Sequence, residues 1–218
     1  MTIAEQIVTQ LRTLRSPGDV AGQQRYGITP RGEQLGIRAP VLRGIARAHR
    51  RDHALALALW ATAVHEARII ATLIDDPGRV TRGQMERWIA DCDNWAVTDA
   101  CCCVLFDRTP FAIEKAQAWS RRRAEFVKRG GFVLMAGLAV HRKELPDAVF
   151  LAFLPAIRRE AADGRNFVKK AANWALRQIG KRNPRLRHAA IAAARKIHGL
   201  DSSSARWIAG DALRELER

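Results

Sequence analysis

An aspartate one helical turn after a tryptophan is the arrangement in this 218-residue chain best suited to chemistry. In Asp93-Asn-Trp-Ala-Val-Thr-Asp99, Trp95 and Asp99 stand four residues apart, so a helix sets the indole and the carboxylate on one face. In a chain with a formal net charge of +15, such a pair suits a substrate that carries both positive and negative charge. The residues alone leave two readings open. Either Asp99 is a capping or surface carboxylate and Trp95 belongs to the core, or the two belong to a reactive site.

No other constellation competes with that stretch. All four cysteines, Cys92, Cys101, Cys102 and Cys103, lie close to it, and three are consecutive. Neighbouring residues on a helix point in different directions, so these three cannot converge on one metal, and no metal site is expected. Small buried thiols in a reducing compartment account for them. The histidines, His49, His53, His65, His141, His188 and His198, fall in no catalytic spacing, and surface or helix-end roles suffice for them. There is no glycine-rich phosphate loop and no nucleotide fingerprint, so no cofactor is expected.

The elements that must position Trp95 and Asp99 are helices. Ile3, Ile7, Leu11 and Leu14 repeat at helical spacing until Ser16-Pro-Gly18, giving a helix over 3–15. The stretch from Arg25-Tyr-Gly-Ile-Thr-Pro30 through Leu35-Gly-Ile-Arg-Ala-Pro40 reads as loop, and Pro40 suits the first turn of the helix carrying Val41, Leu42 and Ile45. Helices then fit 53–62, 65–76, 81–91, 94–106, 111–119, 123–140, 147–162, 166–181, 185–198 and 203–217. No stretch alternates like a strand, so the chain is expected to be all-helical, a single domain over 1–218.

Charge and repeats divide the chain unevenly. Residues 1–120 carry 15 basic and 13 acidic side chains, a net of +2; residues 121–218 carry 22 and 9, a net of +13. A polyanion such as nucleic acid is the natural partner for that second half. No segment has the apolar length of a spanning helix and the N-terminus lacks a signal-peptide run, so a soluble, cytoplasmic protein is expected, with no membrane partner. Phe126-Val-Lys-Arg aligns with Phe167-Val-Lys-Lys at an offset of 41 residues, and Ala175-Leu-Arg-Gln-Ile179 with Ala212-Leu-Arg-Glu-Leu216 at an offset of 37. Helix pairs repeating near 40 residues read as an α-solenoid of HEAT-like antiparallel pairs. Lys128, Arg129, Lys169, Lys170 and Arg206 sit near the starts of equivalent helices, so stacking is expected to line a concave basic groove with cations and helix N-termini. Lys169-Lys170 and Arg121-Arg-Arg123 also fit plain solvated helix faces, and Arg177 also fits an ion pair with a carboxylate such as Asp211. Trp174, set among Asn173, Arg177 and Lys170, is the second tryptophan in polar surroundings.

With these residues in view, the sequence resembles the DNA alkylation-repair family of HEAT-like glycosylases, the AlkD-like enzymes. The resemblance rests on Asn94-Trp-Ala-Val-Thr-Asp99, on Phe126-Val-Lys-Arg-Gly-Gly-Phe132, on Asn166-Phe-Val-Lys-Lys-Ala-Ala-Asn-Trp-Ala-Leu-Arg-Gln-Ile-Gly-Lys-Arg-Asn-Pro184, which is the most specific, and on Leu35-Gly-Ile-x-x-Pro40. It implies a right-handed all-α solenoid and a monomer that takes double-stranded DNA containing alkylated bases. It also implies Asp99 as the catalytic carboxylate, Trp95 and Trp174 as aromatic walls beside the damaged nucleotide, Arg129 as a contact to the DNA backbone, and Tyr26 near the lesion; the basic repeats and the surroundings of Trp174 add Lys128, Lys169, Lys170 and Arg177 as further expected DNA contacts. The reaction implied is hydrolysis of the N-glycosidic bond of N3- or N7-alkylpurines without base flipping and without lyase chemistry. Two positions depart from the family pattern: Ala96 stands where an acidic residue is frequent, and Gly130-Gly131 where alanines are common. A catalytically silent DNA-binding array and a protein-interaction scaffold with a basic face are the rival readings, because a solenoid supports many functions.

Overall fold

The computed structural model describes residues 1–218 and contains no strand. Two compact units, Met1–Thr109 and Pro110–Arg218, are distinguished within the chain. No helix is long and apolar enough to cross a membrane.

The first unit holds α1 (Ile3–Thr13), α2 (Pro17–Arg25), α3 (Ala39–Ala46), α4 (His53–Ala61), α5 (His65–Ile74), α6 (Arg82–Asp91) and α7 (Trp95–Ala100). α1 begins on a capping box in which Thr2 and Glu5 satisfy each other's backbone N–H groups, and it buries Ile7, Val8 and Leu11 on one stripe. α2 was not expected. Its sequence, Pro-Gly-Asp-Val-Ala-Gly-Gln-Gln-Arg, buries no residue, and the Ser16 cap with Pro17 in the first turn opens a helix where the apolar pattern only suggested a stop. α5 is the centre of the unit, packing against α1, α3, α4 and α7. Trp60 of α4 and Trp88 of α6 stack with ring centroids 4.0 Å apart, and Phe106 packs beside Trp88 at 6.3 Å.

Two details shape the unit around its loops. Glu66 in α5 is completely buried, and its carboxylate accepts hydrogen bonds from the N–H groups of Leu35, Gly36 and Ile37 at 2.7 to 3.3 Å. A folded-in carboxylate thus organises the Leu35-Gly-Ile37 turn from beneath. Gly36 has φ of +77°, and a Cβ there would lie 2.5 Å from the Ser16 carbonyl oxygen, so both backbone conformation and space require glycine. The second detail follows α7. The helix expected over 94–106 is α-helical only to Ala100; Cys101–Leu105 forms a π turn and Phe106–Arg108 a 3₁₀ turn. The Phe106 N–H donates to the carbonyl of Cys101, five residues back. The wider turn lets Cys101, Cys102, Leu105 and Phe106 all reach the interior.

The second unit holds α8 (Ala112–Trp119), α9 (Glu125–His141), α10 (Asp147–Glu160), α11 (Asn166–Gly180), α12 (Pro184–His198) and α13 (Ser203–Leu216), all within a few residues of the expected bounds. α9 packs on α11 and α11 on α13, whereas α10 packs on α8 and on α12. The helices therefore form two layers, α8/α10/α12 and α9/α11/α13, the arrangement that stacked helix pairs produce. Close approach explains the departure at Gly131: a Cβ there would sit 2.4 Å from the Ser120 amide nitrogen at the end of α8, so alanine does not fit. Arg182 donates to the carbonyls of Ala139, Arg142, Lys143 and Leu145 and lies over the Phe150 ring at 4.0 Å, closing the end of α9.

Candidate nucleic-acid interface

In the first unit, Asn94 determines how Trp95 and Asp99 are presented. It is fully buried and caps α7, its side-chain oxygen accepting from the N–H groups of Ala96 and Val97 at 3.0 and 3.2 Å. Its amide donates to Asp93 at 2.8 Å, and Asp93 in turn accepts from the Arg31 backbone N–H at 2.7 Å, tying the start of α7 to the loop after α2. Val97 and Thr98 face the core, which leaves Trp95 and Asp99 both half-buried, one turn apart on the outward side. The Trp95 indole N–H donates to the carbonyl of Tyr26 at 2.8 Å. The fold thus joins Trp95 to the backbone of Tyr26, and the Tyr26 side chain itself is 76% exposed. Cys102, behind α7, is fully buried, and burial raises its thiol pKa well above the ordinary value, so it is an inert part of the wall.

His53 and His65 stand at helix starts, as expected of the histidines. His65 starts α5 but is buried, and its pKa is lowered by that burial. His53 has Nδ1 2.7 Å from a carboxylate oxygen of buried Asp75, whose other oxygen accepts from Gln84 at 2.6 Å. His53 thus ties the start of α4 to the end of α5.

In the second unit, the starts of α9, α11 and α13 lie side by side. Arg165 donates to the Arg123 carbonyl at 2.7 Å, the Phe126 and Phe167 rings pack at 5.7 Å, and the Ser204 hydroxyl donates to the Asp163 carbonyl at 2.9 Å. α9 and α11 begin on Ala124 and Arg165 with no side-chain cap. Their first N–H groups point at an edge where acceptors are welcome.

The expected DNA contacts of this unit fall into two groups. Lys128 is drawn inward, its ammonium 2.6 Å from Glu160 and 3.1 Å from Asp163, and Arg165 and Arg159 complete the cluster at 2.6 Å from Asp163 and 2.7 Å from Glu160. The Arg165 bidentate contact, opposed by burial and aided by Lys128, holds the Asp163 carboxyl far below the usual range. Lys128 is therefore a centre of internal ion pairing, with little charge to offer an outside phosphate. Arg129 is also buried and donates to the Phe167 carbonyl at 2.7 Å, linking α9 to α11. Arg177 pairs with Glu215 and lies 3.6 Å from Asp211, the intramolecular alternative raised by its sequence. Lys169 and Lys170 make up the other group: Lys169 is half-buried and Lys170 exposed.

Trp174 is half-buried on α11, while its neighbour Asn173 is buried and donates to the Ile208 carbonyl of α13 at 3.1 Å. Sequence reasoning missed one residue on this edge. Trp207 is 40% exposed and the Lys169 ammonium lies 5.3 Å from its ring centroid. The offset of 37 residues that pairs Ala175 with Ala212 also pairs Lys170 with Trp207, so the repeat held the signal.

The chain as a whole matches a solved structure described as a new family of proteins related to the HEAT-like repeat DNA glycosylases with affinity for branched DNA structures. The TM-score is 0.80 over 99% of this chain and 96% of the other, at 17% sequence identity, a likeness that establishes the fold. No curated protein sequence matches it significantly. The model of the DNA alkylation repair enzyme family spans residues 7–216, all but the extreme ends, and takes in α7 with its Asn94 cap, the α9 and α11 motifs and the exposed cations alike: the chain belongs to the DNA alkylation repair enzyme family.

Proposed function

We propose that the protein is a monofunctional DNA glycosylase that hydrolyses the N-glycosidic bond of cationic N3- and N7-alkylpurines, such as 3-methyladenine and 7-methylguanine, in duplex DNA. The observation that carries this reading is the mounting of α7. A buried asparagine cap fixes its start, the Trp95 indole is tethered to the Tyr26 backbone, and Asp99 stands one turn further on the same outward side.

The chemistry asks for little else. An alkylpurine positively charged in its ring is already a good leaving group. As the bond between C1′ and the ring nitrogen breaks, the electron pair goes to the base, which departs neutral, and positive charge builds on the sugar. A fixed carboxylate stabilises that oxocarbenium-like sugar, orients water towards C1′, and takes the proton the water gives up, leaving an abasic site. An indole face beside the sugar adds attraction for developing positive charge, worth about 0.5 to 2 kcal/mol. Lesion selectivity then comes from bond lability, which requires no deep pocket and no flipped base. Lys169, Lys170 and the uncapped starts of α9 and α11 are the phosphate contacts in this scheme, and Trp174 is a second aromatic contact.

A second reading is binding of branched DNA without excision, favoured by the affinity for branched DNA described for the structural neighbour. One experiment separates the two. Methylated duplex DNA is incubated with the protein and with Asp99→Asn, and free methylpurine is measured. The expected result is release by the wild type and a loss of at least about a hundredfold in the variant, the scale of removing a charge-stabilising group. No release by the wild type, or equal release by both, refutes the glycosylase mechanism.

A further inference from the structure

We propose that Trp207 is a stacking platform for an unpaired nucleobase at the α13 end of the basic edge. The inference rests on the reading that this edge takes DNA, and it adds a preference for DNA with an unstacked base nearby.

Three observations carry it. First, Trp207 leaves 40% of its surface exposed. The chain's other core tryptophans show what an indole does here when it is only structural: Trp60, Trp88 and Trp119 are all buried. Second, the repeat places Trp207 where the preceding pair has exposed Lys170 and the one before that has Arg129. The flanking positions agree in burial, since Val168 and Ala205 are both buried, as are Ala171 and Ile208. A position basic in two repeats is thus aromatic in the third, and it is exposed in the last two. Third, the indole is held and electrostatically biased. Lys169 sits 5.3 Å from its ring centroid, the Asn173 amide grips the carbonyl of the very next residue, Ile208, at 3.1 Å, and the Ser202 cap and the bond from Ser204 to Asp163 fix the start of the helix.

A rigid indole flanked by cations is what a single-stranded base needs: any base offers a π face, and the flanking phosphates need positive charge. Lys169 and Lys170 supply that charge. Arg206, the residue before Trp207 in the chain, is held only by exposed Asp201 at 3.5 Å, a contact easily exchanged for a phosphate. Duplex DNA with every base stacked inside it presents nothing for the ring, whereas an end, a junction or a gap does.

The test uses unmethylated DNA, so that excision plays no part. A blunt duplex is extended by a short unpaired tail, made either of thymidines or of abasic nucleotides of the same number, which holds phosphate charge constant and removes only the bases. Affinities are measured by fluorescence anisotropy at one salt concentration. The wild type is expected to prefer the thymidine tail by about tenfold, the scale that stacking of one base on an aromatic ring supplies. Trp207→Ala should bind both tails alike, Trp207→Phe should keep part of the preference, and Lys170→Ala should weaken both tails equally; circular dichroism checks that each variant is folded. Equal binding of the two tails by the wild type overturns the proposal, as does a full preference retained by Trp207→Ala. Either result leaves the glycosylase reading standing, while a protein that discriminates the tails but excises nothing retains this site and loses that reading.

Discussion

Replacing Glu66 tests whether a buried carboxylate organises the loop that carries Tyr26. Glu66 is fully buried, and its partners are the backbone N–H groups of Leu35, Gly36 and Ile37 at 2.7 to 3.3 Å. Burying a carboxylate without compensation is strongly unfavourable, but three N–H donors aimed at it reverse that balance. Glutamine keeps the shape and the oxygen that accepts from all three N–H groups, but it turns an amide NH₂ towards the Leu35 N–H, which the second carboxylate oxygen accepts from, and sets donor against donor there. Each buried donor left unmet costs roughly 1 to 3 kcal/mol, so Glu66→Gln is expected to lower stability by about 2 kcal/mol and Glu66→Ala by about 4 kcal/mol. The decisive assay is amide hydrogen exchange at Leu35, Gly36 and Ile37, read beside urea unfolding. Because 1.4 kcal/mol is tenfold, the Gln variant should speed exchange at these amides by about thirtyfold. The same loop supplies the Tyr26 carbonyl that accepts from the Trp95 indole at 2.8 Å, so the Trp95 indole N–H resonance should shift as well. If Glu66→Gln is as stable as the wild type and the three amides stay protected, the carboxylate does not organise the loop.

Two further perturbations separate structural from DNA-contacting charge. Lys128→Met removes the cation between Glu160 and Asp163 and should destabilise the protein by about 3 kcal/mol while leaving the salt dependence of DNA binding unchanged. Lys170→Ala should do the opposite, holding stability within about 0.5 kcal/mol and lowering the slope of log affinity against log salt by about one; a reversed pattern in urea unfolding and salt titration would show the assignment to be backwards. The same cluster gives a pH dependence. The Asp163 and Glu160 carboxyls are held below their ordinary values in the folded state, so their contribution is complete above a pH of about 4, the unfolded range, and is lost as pH falls further towards their folded values. Urea midpoints should be level from neutral pH down to about 5 and then drop, and Asp163→Asn should flatten that acid limb; an unchanged limb would place the acid sensitivity elsewhere.

The helices were legible because apolar periodicity reports burial. α8 and α10 to α13 bury mainly one side, α9 is buried nearly all round along a continuous apolar run, and their bounds came out within a few residues. α2 was illegible for the same reason, since it buries nothing and leaves no stripe to read. The π turn at Cys101–Leu105 was invisible because one added residue per turn does not disturb the composition of an apolar run. At the site, Trp95 and Asp99 were legible as an i, i+4 pair within one short stretch, whereas the capping role of Asn94 emerged only with the fold. Nor was Glu66 legible, because its partners come from a loop about 30 residues away and a lone glutamate on an apolar helix gives no hint of them.

The charged residues show most clearly where repeat arithmetic stops. Lys128, Lys169 and Arg206 occupy one repeat position, and Arg129, Lys170 and Trp207 the next, yet their exposure rises along the series. Lys128 and Arg129 are buried; Lys170, Arg206 and Trp207 are exposed. Register tells which way a side chain points relative to its own helix, but the neighbours decide what it meets. Glu160, Asp163 and the Phe167 carbonyl belong to the next helix pair, and they close over the first pair's cations. At the same positions on α13, Arg206 and Trp207 stay exposed, meeting only Asp201 and Lys169. The cations that begin α9 are therefore spent on the next helix pair, and those left open to an outside polyanion lie on α11 and α13. That gradient is why Lys170 and Trp207, and not the better-matched Lys128 and Arg129, are the residues whose replacement should change DNA binding without changing the fold.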